Sequence, residues 1–235
     1  ASNDGYLLRW FVERGIPSLG IEPAANVAAT AVARGIPTRV AYFGKKAAED
    51  LVAEGIRPKL VIGNNVLAHV PDLNDFIAGL RVLLAPLGVI TLEFPHLVRL
   101  MEGHQFDTIY HEHFSYFSLT SVEAAFARHQ LSVVDVEELP THGGSLSIFV
   151  RHQSDPSATV GHRVMALRAR ETKCGYHTLE RYSSFESEVQ RVRHTLLRFL
   201  LQARSDGKVV AAYGAPAKGN TLLNYCGVRT DLLAF

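Results

Sequence analysis

Tyr110-His111-Glu112-His113 sets a phenol, two imidazoles and a carboxylate on four consecutive positions, within the longer stretch Gln105-Phe106-Asp107-Thr108-Ile109-Tyr110-His111-Glu112-His113-Phe114-Ser115-Tyr116. A buried polar group without a partner costs about 1–3 kcal/mol, so no core calls for such a run. The segment is a solvated loop, a hydrogen-bonded polar turn or a chemical site. Phe106, Ile109, Phe114 and Phe117 flank it and are expected to tie it down, which favours a site. A metal is one alternative: His111, His113 and Glu112, with His69 or His142, could supply ligands. Sequence neighbours in an extended segment cannot all converge on one ion, and there is no His-x-x-x-His pair here to place two imidazoles on one helix face. No metal is therefore assigned.

The elements that must position these groups are drawn from an ordinary composition. The 235 residues are 47% hydrophobic and 20% charged, with 24 Lys and Arg against 23 Asp and Glu. Length allows one or two domains with a sizeable core. A net charge of +1 leaves no electrostatic footprint for nucleic acid or an anionic membrane surface. Cys174 and Cys226 are the only cysteines and lie far apart. That suits a reducing compartment, so a cytoplasmic location is expected. No apolar run of about 18 residues is present.

Through residue 94 short apolar runs alternate with helical patterns. Helices are expected over 6–14, 24–34, 44–54 and from Asp72, which caps with Asp75 three residues on. Strands are expected over 18–22, 38–42, 60–65 and 88–94. This alternation with short links predicts a parallel, doubly wound α/β sheet. Residues 96–118 break the alternation and carry the Tyr-His-Glu-His run. Thr120 is read as opening a helix with a capping box to Glu123, followed by antiparallel strands 131–136 and 145–150 around Gly143-Gly144. A charged helical region follows to about 204, with Phe185, Val189, Val192, Leu196, Phe199 and Leu200 as its apolar face. Charges along 163–193 are read as its solvated side. Lys208–Tyr213 reads as a new strand leading into Gly214-Ala215-Pro216-Ala217-Lys218-Gly219-Asn220 and a helix.

In open α/β sheets ligands bind beyond the carboxyl ends of the strands. Asn3-Asp4-Gly5, Glu22 and Asn64-Asn65 all fall on that rim. Glu22 stands seventeen residues after Gly5, where an acid can accept both ribose hydroxyls of an adenosine. The set resembles the S-adenosylmethionine site of class I methyltransferases. The resemblance implies a strand ahead of Asn3-Asp4-Gly5, so the chain is expected to lack the first strand of that fold.

The resemblance narrows over the whole chain. Ser2-Asn3-Asp4-Gly5-Tyr6-Leu7-Leu8, Asn65-Val66-Leu67-Ala68-His69-Val70, Glu93-Phe94-Pro95, the stretch Gln105–Tyr116, His142-Gly143-Gly144-Ser145 and Tyr213–Asn220 occur in this order. Together they look like the nucleotide-sugar C-methyltransferases of branched deoxysugars, of the 3-C-methyltransferase type. The resemblance implies a methyltransferase domain over 1–152 with an active-site insertion at about 96–118, a helical connector over 153–205, and the beginning of a Rossmann-like sugar-nucleotide domain over 206–235. It also implies a zinc-binding N-terminal domain, which this chain does not carry. The implied substrate is a small nucleotide sugar, dTDP-linked, with no nucleic acid or membrane partner; a monomer is compatible with the sequence.

Catalytic groups are implied at His69, Tyr110, Glu112 and His113. A 4-keto sugar has an acidified hydrogen beside the carbonyl, and a histidine suits its removal near neutral pH. Donors such as a phenol or a second imidazole would stabilise the enolate oxygen. His113 is taken as the base, with His69 and Tyr110 near the keto oxygen or sugar hydroxyls. Glu112 would orient or charge an imidazole, and His111 would face away. Cofactor contacts are implied at Asn3, Asp4, Gly5, Glu22, Asn64 and Asn65. Substrate contacts are implied at His142, Gly143, Gly144, Tyr213, Lys218 and Asn220, with Lys218 meeting a diphosphate at a helix N-terminus. Read without the resemblance, Gly143-Gly144 is a turn and Lys218 a solvated lysine. An O- or N-methyltransferase and a non-catalytic binding domain are the rival functions. With a central strand missing, residues 1–235 alone are expected to fold poorly; a cooperative thermal melt with native-like spectra would contradict this.

Overall fold

The computed structural model describes residues 1–214 and 216–234. Its elements follow the alternation expected from the sequence. After a short helix α1 (Arg9–Val12) come β1 (Gly20–Glu22), α2 (Ala25–Ala33), β2 (Thr38–Val40), α3 (Lys45–Ala53), β3 (Leu60–Asn64), α4 (Leu73–Leu83) and β4 (Val89–Pro95). The site-bearing stretch holds α5 (Leu97–Glu102) and leads into α6 (Leu119–Ala127), β5 (Leu131–Leu139) and β6 (Ser145–His152). Three helices end the chain: α7 (His162–Lys173), α8 (Leu179–Ser205) and α9 (Ala217–Cys226).

The strands form two sheets. β1 and β2 pair in parallel, and four strands lie in the order β3-β4-β6-β5. β3 and β4 are parallel, whereas β6 runs antiparallel to both β4 and β5. The β5–β6 hairpin folds back without a crossover helix, so the two must be antiparallel. β1 and β3 each keep one edge outside any ladder. Apolar packing joins the sheets instead: Ile21 of β1 and Val61 of β3 both pack on a cluster of Ala48, Leu51 and Leu83 from α3 and α4.

The main core lies between the four-stranded sheet and its helices. Ile90, Leu92 and Phe94 alternate inward along β4, and Ile148 and Val150 do so on β6. Phe76, Ile77 and Leu80 of α4 and Val122 and Phe126 of α6 complete it. Asp72 caps α4 by accepting from Asp75 N at 2.9 Å, as its position predicts.

Several expectations are corrected. The box at α6 lies two residues earlier than Thr120: Ser118 and Ser121 cap each other reciprocally, and Glu123 instead pairs with Arg168. The Ser118–Ser121 pairing closes the turn with two short side chains, so Thr120 is left to bond elsewhere. Residues 208–213 form no strand: among the described residues no strand pairs with them, although Ala234 N donates to Val210 O at 3.0 Å. Phe199 on α8 is exposed, while Val189, Leu200 and Ala203 are buried. Glu171 is not on a solvated face but is 1% exposed. Ala215, part of the glycine-rich stretch before α9, lies outside the described residues.

Phe126 is fully buried against this core. Phe126→Ala should lower unfolding free energy by about 3–5 kcal/mol, read as a shift in the urea midpoint at constant slope.

Candidate active site

Past α5 the insertion between β4 and α6 has only single turns, so its remaining main-chain polar groups must find partners individually. Phe106–Thr108 forms a single 3₁₀ turn, and His113 N donates to Tyr110 O at 3.0 Å to close the next one. The Tyr-His-Glu-His run is therefore a turn rather than an extended strand. Phe114 N and Ser115 N both donate to Ala68 O, which lies in the 3₁₀ turn Leu67–His69 after β3. This anchor brings His69 to the run. Phe106 and Phe117 are buried, but Ile109 and Phe114 are exposed, so main-chain bonds and only two of the four apolar neighbours tie the segment down.

Two imidazoles meet here. His69 Nδ1 donates to Glu112 O at 2.9 Å, and His113 Nδ1 donates to Thr108 O at 2.7 Å. A carbonyl can only accept, so each neutral ring carries its proton on Nδ1 and presents a lone pair on Nε2. The ring centroids are 4.8 Å apart. Tyr110 stacks at a tilt on His113, also at 4.8 Å, and Tyr116 meets it edge-on at 5.9 Å. Burial, with the nearby charges of Glu112 and Asp107, pushes the Tyr110 phenol above its ordinary range. It is a neutral O–H donor at physiological pH. Burial likewise raises Tyr116. Glu112 departs from its expected role: its carbonyl orients His69, while its exposed carboxylate holds neither ring. His111 is exposed and lies outside the pair.

The strand-end rim is built separately. Glu22 is 5% exposed and accepts from Asn3 N at 2.9 Å and Ala24 N at 3.0 Å. Its carboxylate thus fixes the Asn3-Asp4-Gly5 loop. Gly5 has φ +78°, and a Cβ there would meet Ile36 at 2.4 Å, so only glycine fits. Asp4 pairs with Arg34 and is held below the usual carboxylate range by that contact. Asn3 and Asn65 both adopt left-handed backbone, at φ 52° and 54°. Asn tolerates that conformation better than most residues, and Asn65 directly follows the end of β3. Asn64, the last residue of β3, is exposed.

The loop before β6 connects the rim to the insertion. His142, Gly143 and Gly144 have φ of 54°, 84° and 125°. Asn65 Nδ2 donates to His142 Nε2 at 3.3 Å, and Gln105 Nε2 donates to Gly143 O at 2.9 Å. Thr141 Oγ1 donates to Glu93 at 2.7 Å. Gln105, Tyr116, Thr141 and Glu93 are the positioning groups that sequence reasoning did not single out. Gln105 and Tyr116 bracket the quoted stretch, and Glu93 ends a strand on the rim, which were the available signals.

Of the C-terminal residues, Tyr213 is fully exposed and Lys218 is half-buried in the first turn of α9. Among the described residues no hydrogen bond or ion pair joins either to the insertion. Asn220 lies on the same helix, which packs on the insertion through Tyr225 against Phe106, with centroids 4.9 Å apart. Among the described residues no group of three or more His, Cys, Asp or Glu is arranged to hold a metal.

Residues 2–136 match the family model described as a methyltransferase domain. The chain belongs to this family. Residues 140–235 match the model described as a C-methyltransferase C-terminal domain. A curated relative, C-methyltransferase NovU of Streptomyces niveus, is 39% identical over 239 residues, covering all of this chain and 56% of that protein. The chain thus spans little more than half the length of that relative. Among solved structures, a Haloferax volcanii protein described as a methyltransferase, in complex with a methyltransferase activator, superposes with a TM-score of 0.50. It is 14% identical, and the match covers 64% of this chain and 80% of that one. The architecture is the class I methyltransferase α/β fold, with the mixed β4–β6–β5 arrangement closing its sheet.

Nitrogen-detected histidine spectra should place the proton on Nδ1 for both His69 and His113 at neutral pH. A majority Nε2–H form of either would contradict the two carbonyl bonds.

Proposed function

We propose that the protein transfers a methyl group from S-adenosylmethionine to the carbon beside the ketone of a 4-keto-deoxy nucleotide sugar, through an enolate. The observation that carries this reading is the locked His113: Thr108 O holds its Nδ1–H, leaving Nε2 as a base beside a neutral phenol and a second imidazole. The donor set on the rim fits the cofactor. The Asn3-Asp4-Gly5 main chain, the buried Glu22 carboxylate and the Asn64-Asn65 amides are groups suited to an adenosine and an amino-acid moiety. When bound, S-adenosylmethionine supplies an electrophilic methyl on a sulfonium.

His113 Nε2 takes the proton from the carbon beside the ketone, and the electron pair moves onto the carbonyl oxygen. The Tyr110 hydroxyl is the donor that steadies the resulting oxyanion, a role for which a phenol held neutral is suited. His69 lines the other side and binds the keto oxygen or a sugar hydroxyl. As the enolate carbon bonds to the methyl, the carbon–sulfur bond of the sulfonium would break to leave a neutral thioether, the ketone is restored, and His113 passes its proton to solvent. His142 and the Gly143-Gly144 turn form a close wall for the sugar, and Lys218 at the start of α9 receives the diphosphate. The family's C-methyltransferase C-terminal model and the printed activity of NovU support carbon rather than oxygen or nitrogen as the acceptor. The domain division proposed is 1–152, 153–205 and 206–235, with a cytoplasmic location.

The test is the intact protein with S-adenosylmethionine and a panel of 4-keto-6-deoxy sugar nucleotides, read by mass and by exchange of the alpha hydrogen in D₂O. One sugar should gain a methyl on carbon, and His113→Ala should slow exchange by about 10²–10⁴-fold. A methyl found on a heteroatom, or undiminished exchange in the variant, would sink the reading.

A further inference from the structure

Residues 96–118 leave the sheet at the end of β4 and return to it at α6. Their two ends come together. His96 bridges Phe117 in parallel, and Leu97 N donates to Phe117 O at 2.9 Å. His96 N donates to Gly144 O at 3.0 Å, so the same point also holds the loop before β6. One side chain from outside the insertion seals this junction. Glu171, on α7, accepts from His96 Nε2 at 3.2 Å on one end and from Leu119 N at 2.7 Å on the other. It also accepts from Thr120 N at 2.9 Å and Thr120 Oγ1 at 2.7 Å.

His96 is fully buried and Glu171 is 1% exposed. A carboxylate so far from water is costly unless its oxygens are filled by donors. Here four donors fill them, three from the first turn of α6, two of these main-chain N–H groups, where the helix dipole also favours an anion. Burial works against the charged form, but the bonds from His96, Thr120 and Leu119 outweigh it and hold the carboxyl below its usual range. The buried cost makes the geometry specific: Glu171 is satisfied only when both ends of the insertion sit where they do. The Nδ1 of His96 has no hydrogen-bond partner, and Glu138, already paired with Arg99 and Arg170, lies 4.0 Å away. His96 therefore depends on Glu171 for its side-chain hydrogen bond.

We propose that Glu171 is a positioning residue for the reaction, holding Tyr110 and His113 in register with His69 by stapling the insertion shut from the helical connector. The inference rests on the methyl-transfer reading for its link to catalysis. The rim that holds the methyl donor stands on other strands, so loss of the staple should disturb the insertion and spare the rim.

The experiment uses the intact protein carrying Glu171→Gln, with Thr120→Val as a milder variant that removes one of the four donors. Three quantities are read: histidine ring-nitrogen spectra of His69 and His113, calorimetric affinity for S-adenosylmethionine, and kcat on the sugar nucleotide that is turned over. Glu171→Gln should shift or broaden both histidine signals and lower kcat by about 100-fold, the scale of a catalytic group displaced by about 1 Å. Affinity for S-adenosylmethionine should change less than about twofold, because the rim keeps its own hydrogen bonds. Thr120→Val should move the same signals less. Unaltered histidine signals in Glu171→Gln, or cofactor affinity falling in step with kcat, would overturn the proposal. Should Glu171→Gln not fold, unaltered histidine signals in Thr120→Val would overturn it. The spectra and cofactor titration need no sugar, so they decide the staple even if no keto sugar is methylated.

Discussion

An irregular segment packed against a sheet has to satisfy its main-chain groups without a ladder or a helix to do it wholesale. Outside the short helix α5 and a few single turns, residues 96–118 meet that constraint at anchoring points: Ala68 O takes two N–H groups, Phe117 O takes Leu97 N, and Gly144 O takes His96 N. Each acceptor belongs to a different part of the domain. The insertion is thus pinned to the end of β3, to its own far end and to the loop before β6. The geometry of His69 and His113 follows from the same economy, since their Nδ1 atoms satisfy carbonyls of the turn that would otherwise lack partners. Orientation of the imidazoles and closure of the loop are one set of hydrogen bonds.

The sheet shows the opposite regime. β3 to β6 are held by regular ladders over a large apolar core, whereas β1 and β2 are joined to them through side chains. The strand-end rim straddles that division, with Glu22 ending β1 and Asn65 following β3. Its loops are correspondingly fixed by short-range devices. The Glu22 carboxylate holds one, a left-handed asparagine stands in each, and the Asn65 to His142 contact ties the rim to the loop before β6. Exposed ion pairs such as Arg39–Glu54 and Lys46–Asp50 contribute little to stability. Glu171 differs because it is buried and fully coordinated.

Much of this was legible in the residues. Alternating apolar runs marked every strand through β4, and the Asp72 cap fell where its side chain predicted. Glu22 and Asn64-Asn65 were identifiable from their positions at strand ends, and the Tyr-His-Glu-His run from the improbability of burying it. What went astray has identifiable causes. Lys208–Tyr213 has strand-like composition, but a strand needs a ladder, and among the described residues no strand pairs with it. Ile109, Phe114 and Phe199 are apolar yet exposed, because hydrophobicity does not say which side of a turn or helix meets the core. Thr120 and Glu123 have the spacing of a capping box, but Ser118 and Ser121 supplied a closer one.

The sequence by itself determined the α/β class, the element order and which residue types stand at the strand ends and in the insertion, because these rest on local periodicity and chain position. Tertiary structure alone decided how the groups meet. It gave Glu112 a role through its carbonyl rather than its carboxylate, set both histidines in one tautomer, and turned Glu171 from a presumed surface charge into the buried clasp of the insertion. Those outcomes depend on hydrogen bonds between residues as far as 75 positions apart. No local pattern records which distant carbonyl or amide will be left in need of a partner.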